Sequence, residues 1–161
     1  MNDAEQVVGE TYARSRPAVS KAFVWSASAG VQDLPLLPDY YYSHSTDING
    51  AGQVVGRVEA SIKYSAFLWS EDAGMQDLGT LHNHQNSQAA DINEPGQVVG
   101  TSGARAFLWS EGSRMQDLNG LLPAGSGWEL RSAAAINDNG QILCGGTRIG
   151  QDLRWCVLNP S

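Results

Sequence analysis

One short run, Gln-Val-Val-Gly, recurs along the chain and constrains its fold more than any other feature. It stands at Gln6-Val7-Val8-Gly9, Gln53-Val54-Val55-Gly56 and Gln97-Val98-Val99-Gly100, and returns altered as Gln141-Ile142-Leu143-Cys144. The Gln-to-Gln spacings are 47, 44 and 44 residues. Asn2, Asn49, Asn93 and Asn137 each stand four residues before their Gln, and Met1, Ile48, Ile92 and Ile136 precede the Asn. A period of this length marks a tandem array of one supersecondary unit.

Three further elements keep the same register. Ala22-Phe23-Val24-Trp25, Ala66-Phe67-Leu68-Trp69 and Ala106-Phe107-Leu108-Trp109 are apolar, aromatic-rich and bounded by Ser, as buried strands are. Val31-Gln32-Asp33-Leu34, Met75-Gln76-Asp77-Leu78 and Met115-Gln116-Asp117-Leu118 alternate like half-buried strands, and Ala89-Ala90-Asp91-Ile92 has counterparts ending at Ile48 and Ile136. Four short strands per unit, joined by turns rich in Asn, Gly and Ser, predict an all-β chain of tandem four-stranded antiparallel units. One such sheet cannot bury both faces alone, whereas stacked copies bury each other, so β-propeller blades are expected, with a β-sandwich or β-prism as the alternative. The units run approximately 1–34, 35–78, 79–118 and 119–161 in a single repeat domain. The Gly-to-Phe separation shrinks from 14 to 11 to 7 residues between Gly9–Phe23, Gly56–Phe67 and Gly100–Phe107, which places those connections on the surface.

With blades grouped as the Met-Gln-Asp-Leu, Ala-Ala-Asp-Ile-Asn, Gln-Val-Val-Gly and Ala-Phe-Leu-Trp elements, the chain holds about four blades, one lacking a strand. An incomplete blade exposes backbone donors and acceptors along an edge, so homo-oligomerisation through that edge is expected.

Composition narrows the partners. The net charge is −7, from 17 acidic and 10 basic residues with no basic cluster, which argues against nucleic acid. No apolar run is long enough to span a bilayer, and the start, Met1-Asn2-Asp3-Ala4-Glu5, has no signal-peptide character.

Several residues invite chemistry. The Asn-x-x-Gly-Gln turns contain hard oxygen ligands of the calcium-loop kind, but Pro95 in one copy and the missing Gly in Asn2-Asp3-Ala4-Glu5 favour plain hairpin turns. His82 and His84 would share one face of a strand and bind zinc with His44, or form a loop pair with no metal. Asp33, Asp77 and Asp117 recur at one place, which suits structural carboxylates more than a catalytic one. Cys144 occupies the place of Gly9, Gly56 and Gly100, and Cys156 aligns with Phe23, Phe67 and Phe107, so the two either form a cross-strand disulfide or pack as free thiols; another register aligns Trp155 with Trp25, Trp69 and Trp109. Tyr40-Tyr41-Tyr42 and Trp128 fall outside the repeat pattern and suit stacking on sugar rings, or else plug the junctions between blades.

The runs INxxGQVVG, AFLWS, MQDLGTL and WELRSAAAINDNGQIL resemble the HAF repeat family of extracellular bacterial repeat proteins across nearly the whole chain. The resemblance implies an extracellular or cell-surface setting, and a chain corresponding to a C-terminal portion or a short relative. The His that names the family is replaced by Lys21, Ser65 and Arg105.

Function is expected to be non-enzymatic: a scaffold binding a protein or glycan, with Tyr40, Tyr41, Tyr42, Trp128, His82 and His84 as candidate ligand residues. No cofactor, metal or catalytic residue is assigned. A polysaccharide-acting hydrolase or lyase with its site at the propeller axis, and a purely structural surface repeat, are the alternatives.

Overall fold

A computed structural model describes residues 1–13 and 19–159. Among the described residues the period-two patterning is realised as fourteen strands: β1 Val7–Ala13, β2 Val19–Ser26, β3 Gly30–Asp33, β4 Tyr42–Ile48, β5 Val54–Glu59, β6 Tyr64–Ser70, β7 Gly74–Gly79, β8 Ser87–Ile92, β9 Val98–Ser102, β10 Arg105–Ser110, β11 Arg114–Asp117, β12 Trp128–Ile136, β13 Ile142–Arg148 and β14 Arg154–Leu158. A 3-10 turn, Leu118–Leu121, follows β11. The strands form four antiparallel meanders in chain order: β1-β2-β3, β4-β5-β6-β7, β8-β9-β10-β11 and β12-β13-β14.

This order corrects the expected grouping of strands. The Met-Gln-Asp-Leu element is the last strand of its sheet, bonded to the preceding Ala-Phe-Leu-Trp strand, and the Asp-Ile-Asn element is the first. Short tight turns join each strand to the next within a unit, whereas longer connections separate β3 from β4 and β7 from β8, so pairing stays within the unit. Two sheets are therefore three-stranded, not one. The first has no strand beyond β1, and the fourth has none beyond β14, among the described residues.

The sheets pack face to face in sequence. Ala22 and Val24 of the first sheet meet Phe67 and Trp69 of the second; Ala66 and Leu68 of the second meet Phe107 and Trp109 of the third. Ala106 and Leu108 of the third meet Ile142, Cys144, Cys156 and Leu158 of the fourth. Each sheet thus has a front, which receives the next unit, and a rear, which seats on the one before. Phe67, Phe107 and Trp109 are at most 2% exposed, and burying one such side chain contributes about 2–3 kcal/mol, so these junctions dominate the stability of the stack. The first strands β4 and β12 each lie against β8.

Polar ties cross the same junctions. Within each Asn turn the Asn Oδ1 accepts from the Gln backbone N–H and its Nδ2 donates to the Gln Oε1, at 2.8–3.0 Å in all four copies. Nδ2 also donates onward: Asn2 to the Asn49 carbonyl at 2.8 Å, Asn49 to Asn93 at 3.1 Å, Asn93 to Asn137 at 3.1 Å. The result is a stair of Asn side chains with a single direction. These side chains are spent on the turns and the stair, the role of hairpin closure. Gly52, Gly96 and Gly140 take φ of 76–80° at the turn, and Glu5 holds φ 57° at the corresponding place in the first unit.

Each first strand carries a one-residue bulge at the same repeat position, Thr46, Ala90 and Ala134. The strand opposite needs a glycine there: a Cβ on Gly56 would lie 1.9 Å from the His44 carbonyl oxygen, and one on Gly100 2.1 Å from that of Gln88. In the fourth sheet Cys144 occupies this place, and β12 carries a second bulge at Arg131.

Candidate functional site

The meander topology gives the stack two ends. At one lie the Asn turns, whose side chains bond from unit to unit, and the short turns 27–29, 71–73 and 111–113. At the other lie the hairpin tips and the connections 34–41, 80–86 and 118–127, where the units differ in length and composition. Functional variety belongs at the second end, on loops held by a rigid scaffold.

The second sheet gathers an interconnected cluster there. His44 on β4 directs Nδ1 to the Glu10 carboxylate of the first sheet at 2.8 Å and Nε2 toward Glu59 at 3.7 Å. Arg57, the cross-strand partner of His44, holds Glu59 at 2.6 Å through Nε and reaches Gln88 of the third sheet at 3.1 Å. Its guanidinium also sits 5.9 Å above the Tyr64 ring, and Lys63 Nζ lies 4.8 Å above the Tyr40 ring. Tyr41, 55% exposed, donates its backbone N–H to the Glu59 carbonyl at 2.9 Å. The cluster spans three sheets and presents aromatic rings beside alternating charges.

Of the residues singled out from sequence, Tyr40, Tyr41 and Tyr42 belong to this cluster. Tyr40 packs partly onto the junction core, Tyr41 faces solvent, and Tyr42 opens β4 opposite Glu59. Trp128 sits elsewhere: it opens β12, packs partly on the third junction, and lines an open cavity of about 470 Å³ with Glu129, Arg148 and Ile149. His82 and His84 lie in the connection after β7, not on a strand face. His82 is exposed; His84 rests against Gly103, with Nδ1 buried and without a hydrogen-bond partner. No group of three His, Cys, Asp or Glu among the described residues is arranged to hold a metal.

Sequence reading missed Glu10, Arg57, Glu59, Lys63 and Tyr64. A signal was present, since Glu10, Arg57, Thr101 and Gly145 occupy one repeat position with four different residues. The recurrent Asp77 and Asp117 serve local structure: Asp77 accepts from Ser65 Oγ and the Gly79 N–H, and Asp117 caps the turn at Asn119.

A second feature is the carboxyl pair Asp47–Asp91 on the first strands β4 and β8. Asp47 Oδ2 accepts from the Ile92 N–H at 3.2 Å and Asp91 Oδ2 from the Ile136 N–H at 2.6 Å, so each ties its strand to the next sheet. Partial burial, then a shared hydrogen bond with Asp47, lifts the Asp91 carboxyl to about 6.

Cys144 and Cys156 face each other across β13 and β14 in the register where the other units pair Gly with Phe, which places Trp155 at the position of Ala22, Ala66 and Ala106. Both are free thiols in the structure. Burial, then the neighbouring Cys156, pushes Cys144 up to about 12, and burial also raises Cys156, so neither supplies a nucleophilic thiolate near neutrality.

A family model described as "Protein of unknown function (DUF3466)" matches residues 1–156. The chain belongs to this family. That match replaces the resemblance to the HAF repeat family, for which no family match is found. The extracellular setting expected of this DUF3466 chain rested on that resemblance alone. No curated protein and no solved structure matches the chain significantly.

Proposed function

We propose that this DUF3466 chain is a non-enzymatic binding scaffold, its four sheets acting as propeller-type blades and its loop end holding a glycan. The observation that carries this reading is the cluster at the loop end of the second sheet, where the exposed Tyr41 follows Tyr40, whose ring lies under Lys63, and bonds through its backbone to Glu59, in the same region as the Arg57–Tyr64 pair and His44. Aromatic faces bordered by charged donors and acceptors suit a sugar ring, whose C–H face stacks while its hydroxyls take hydrogen bonds. The bonds linking His44, Arg57 and Glu59 hold the surface in place before a ligand arrives.

A glycan array followed by calorimetry tests it. A binding glycan should lose at least tenfold in affinity in Tyr41→Ala and keep it in Tyr12→Ala, a change at an exposed tyrosine on β1. Equal binding by wild type and Tyr41→Ala, or no glycan bound at all, would sink the proposal. The hydrolase or lyase reading has one feature in its favour, the proton-sharing Asp47–Asp91 pair. Both carboxylates already accept backbone N–H groups across the sheet junctions, which suits them to clamping strands more than to transferring protons.

A further inference from the structure

Every internal junction follows one rule: the rear of a sheet, built on its Phe and Trp side or on Cys156 and Leu158 in the fourth, seats on the front of the sheet before. The Asn stair crosses these junctions in one direction, each Nδ2 donating to the carbonyl of the next unit. At the two ends of the stack the same surfaces are open. The rear of the first sheet presents Trp25, 37% exposed, and Val31, 58%; the front of the fourth presents Trp155 and Val157, each 59%, beside Leu143. The stair is open as well. Among the described residues the Asn2 carbonyl accepts only from the Glu5 N–H, and Asn137 Nδ2 donates only to Gln141.

We propose that the front of the fourth sheet receives the first sheet of a second copy of this chain, extending the stack head to tail. Two observations select that occupant. The first is polarity: the stair ends in a free donor on Asn137 and begins with a free acceptor on Asn2, so a second copy continues it in the direction it already runs. The second is shape. Trp155 stands where the other units have alanine, and those alanines lie beneath the first strand of the next sheet, with the Ala22 and Ala66 N–H groups bonded to Ser43 Oγ and Ser87 Oγ at 2.9 Å. A four-stranded sheet would collide with the indole, whereas the first sheet carries no strand at that place among the described residues and leaves room for it. The contact is heterologous, made by different faces of the two copies, and it differs from pairing along the β1 edge.

Sedimentation equilibrium over a wide concentration range tests this with Val31→Asp, which spoils the rear face, and Val157→Asp, which spoils the front. Both sites are solvent-exposed, and circular dichroism with thermal melting checks the fold; Trp25→Asp and Trp155→Glu are the second pair should either variant unfold. The expected result is association in the wild type, a 17.2 kDa monomer for each variant alone, and a species of twice that mass when the two are mixed, because each keeps the face the other lacks. A wild type that stays monomeric at the highest concentration overturns the proposal. So does association that survives both substitutions, as edge pairing would, and so do variants that fail to complement each other on mixing.

Discussion

Replacing Asp91 with Asn isolates the one carboxyl titration that the fold visibly perturbs among the described residues. Asp91 holds its proton to about 6 in the folded chain against an ordinary value of 3.8. Its folded pKa lies above its unfolded one, so its contribution to stability is complete below about pH 4 and is lost as pH rises through 6. A gap of this size corresponds to about 3 kcal/mol at most. The carboxyl is only half-buried, and solvent screening reduces the figure to about 1–1.5 kcal/mol. An Asn side chain keeps an oxygen for the Ile136 N–H and gains an N–H to offer Asp47, so Asp91→Asn should match the wild type near pH 4 and exceed it at pH 8. For a chain of this length the gain is about 2–6 °C in melting temperature. Melting curves followed by circular dichroism at intervals from pH 4 to pH 8 give the difference directly, with carboxylates other than its partner Asp47 cancelling between the two proteins. A difference that does not vary with pH, or a variant less stable than wild type at pH 8, would refute the shared-proton argument.

The remaining expectations concern the stair, the bulges and the thiols. Asn93→Ala removes the bonds to Gln97 and to the Asn137 carbonyl at a site only 3% exposed, and should cost about 2–3 kcal/mol in urea denaturation, against about 1 kcal/mol for Asn137→Ala at the open end. Gly56→Ala drives a Cβ into the His44 carbonyl and should cost at least about 3 kcal/mol, whereas Gly9→Ala meets only the Phe23 ring at 2.8 Å and should cost about 1–2 kcal/mol by the same assay. Cys144 and Cys156 should resist iodoacetamide at pH 7.5 in the folded chain and react together once it is denatured, as mass spectrometry will show. Catalysed oxidation should join them within one chain and add about 2–3 kcal/mol, and a product linked between chains would contradict the cross-strand register.

Much of the architecture could be read from local pattern. Strand alternation, the Asn-x-x-Gly-Gln turns and the Gly-opposite-Phe spacing are interactions between near neighbours, and they carry the all-β class, the four-fold repetition and the facing of Cys144 and Cys156. The candidate site was legible only at Tyr40–Tyr42, which break the pattern by themselves. Glu10 and Arg57 look unremarkable in sequence, and His44 is grouped there with His82 and His84 instead, because the true partners come from other units: Glu10 lies 34 residues before His44, and Gln88 lies 31 after Arg57.

The period and the strands within it follow from the sequence alone, because each hairpin is closed by a few consecutive residues. Which strand heads each sheet and which face each sheet turns to its neighbour were decided by packing between units some 44 residues apart. A strand's hydrophobic side says that it must be covered without saying by what. The meeting of Phe and Trp rears with Ala and Leu fronts, and the one-way stair of Asn side chains that crosses the same junctions, supply that missing choice.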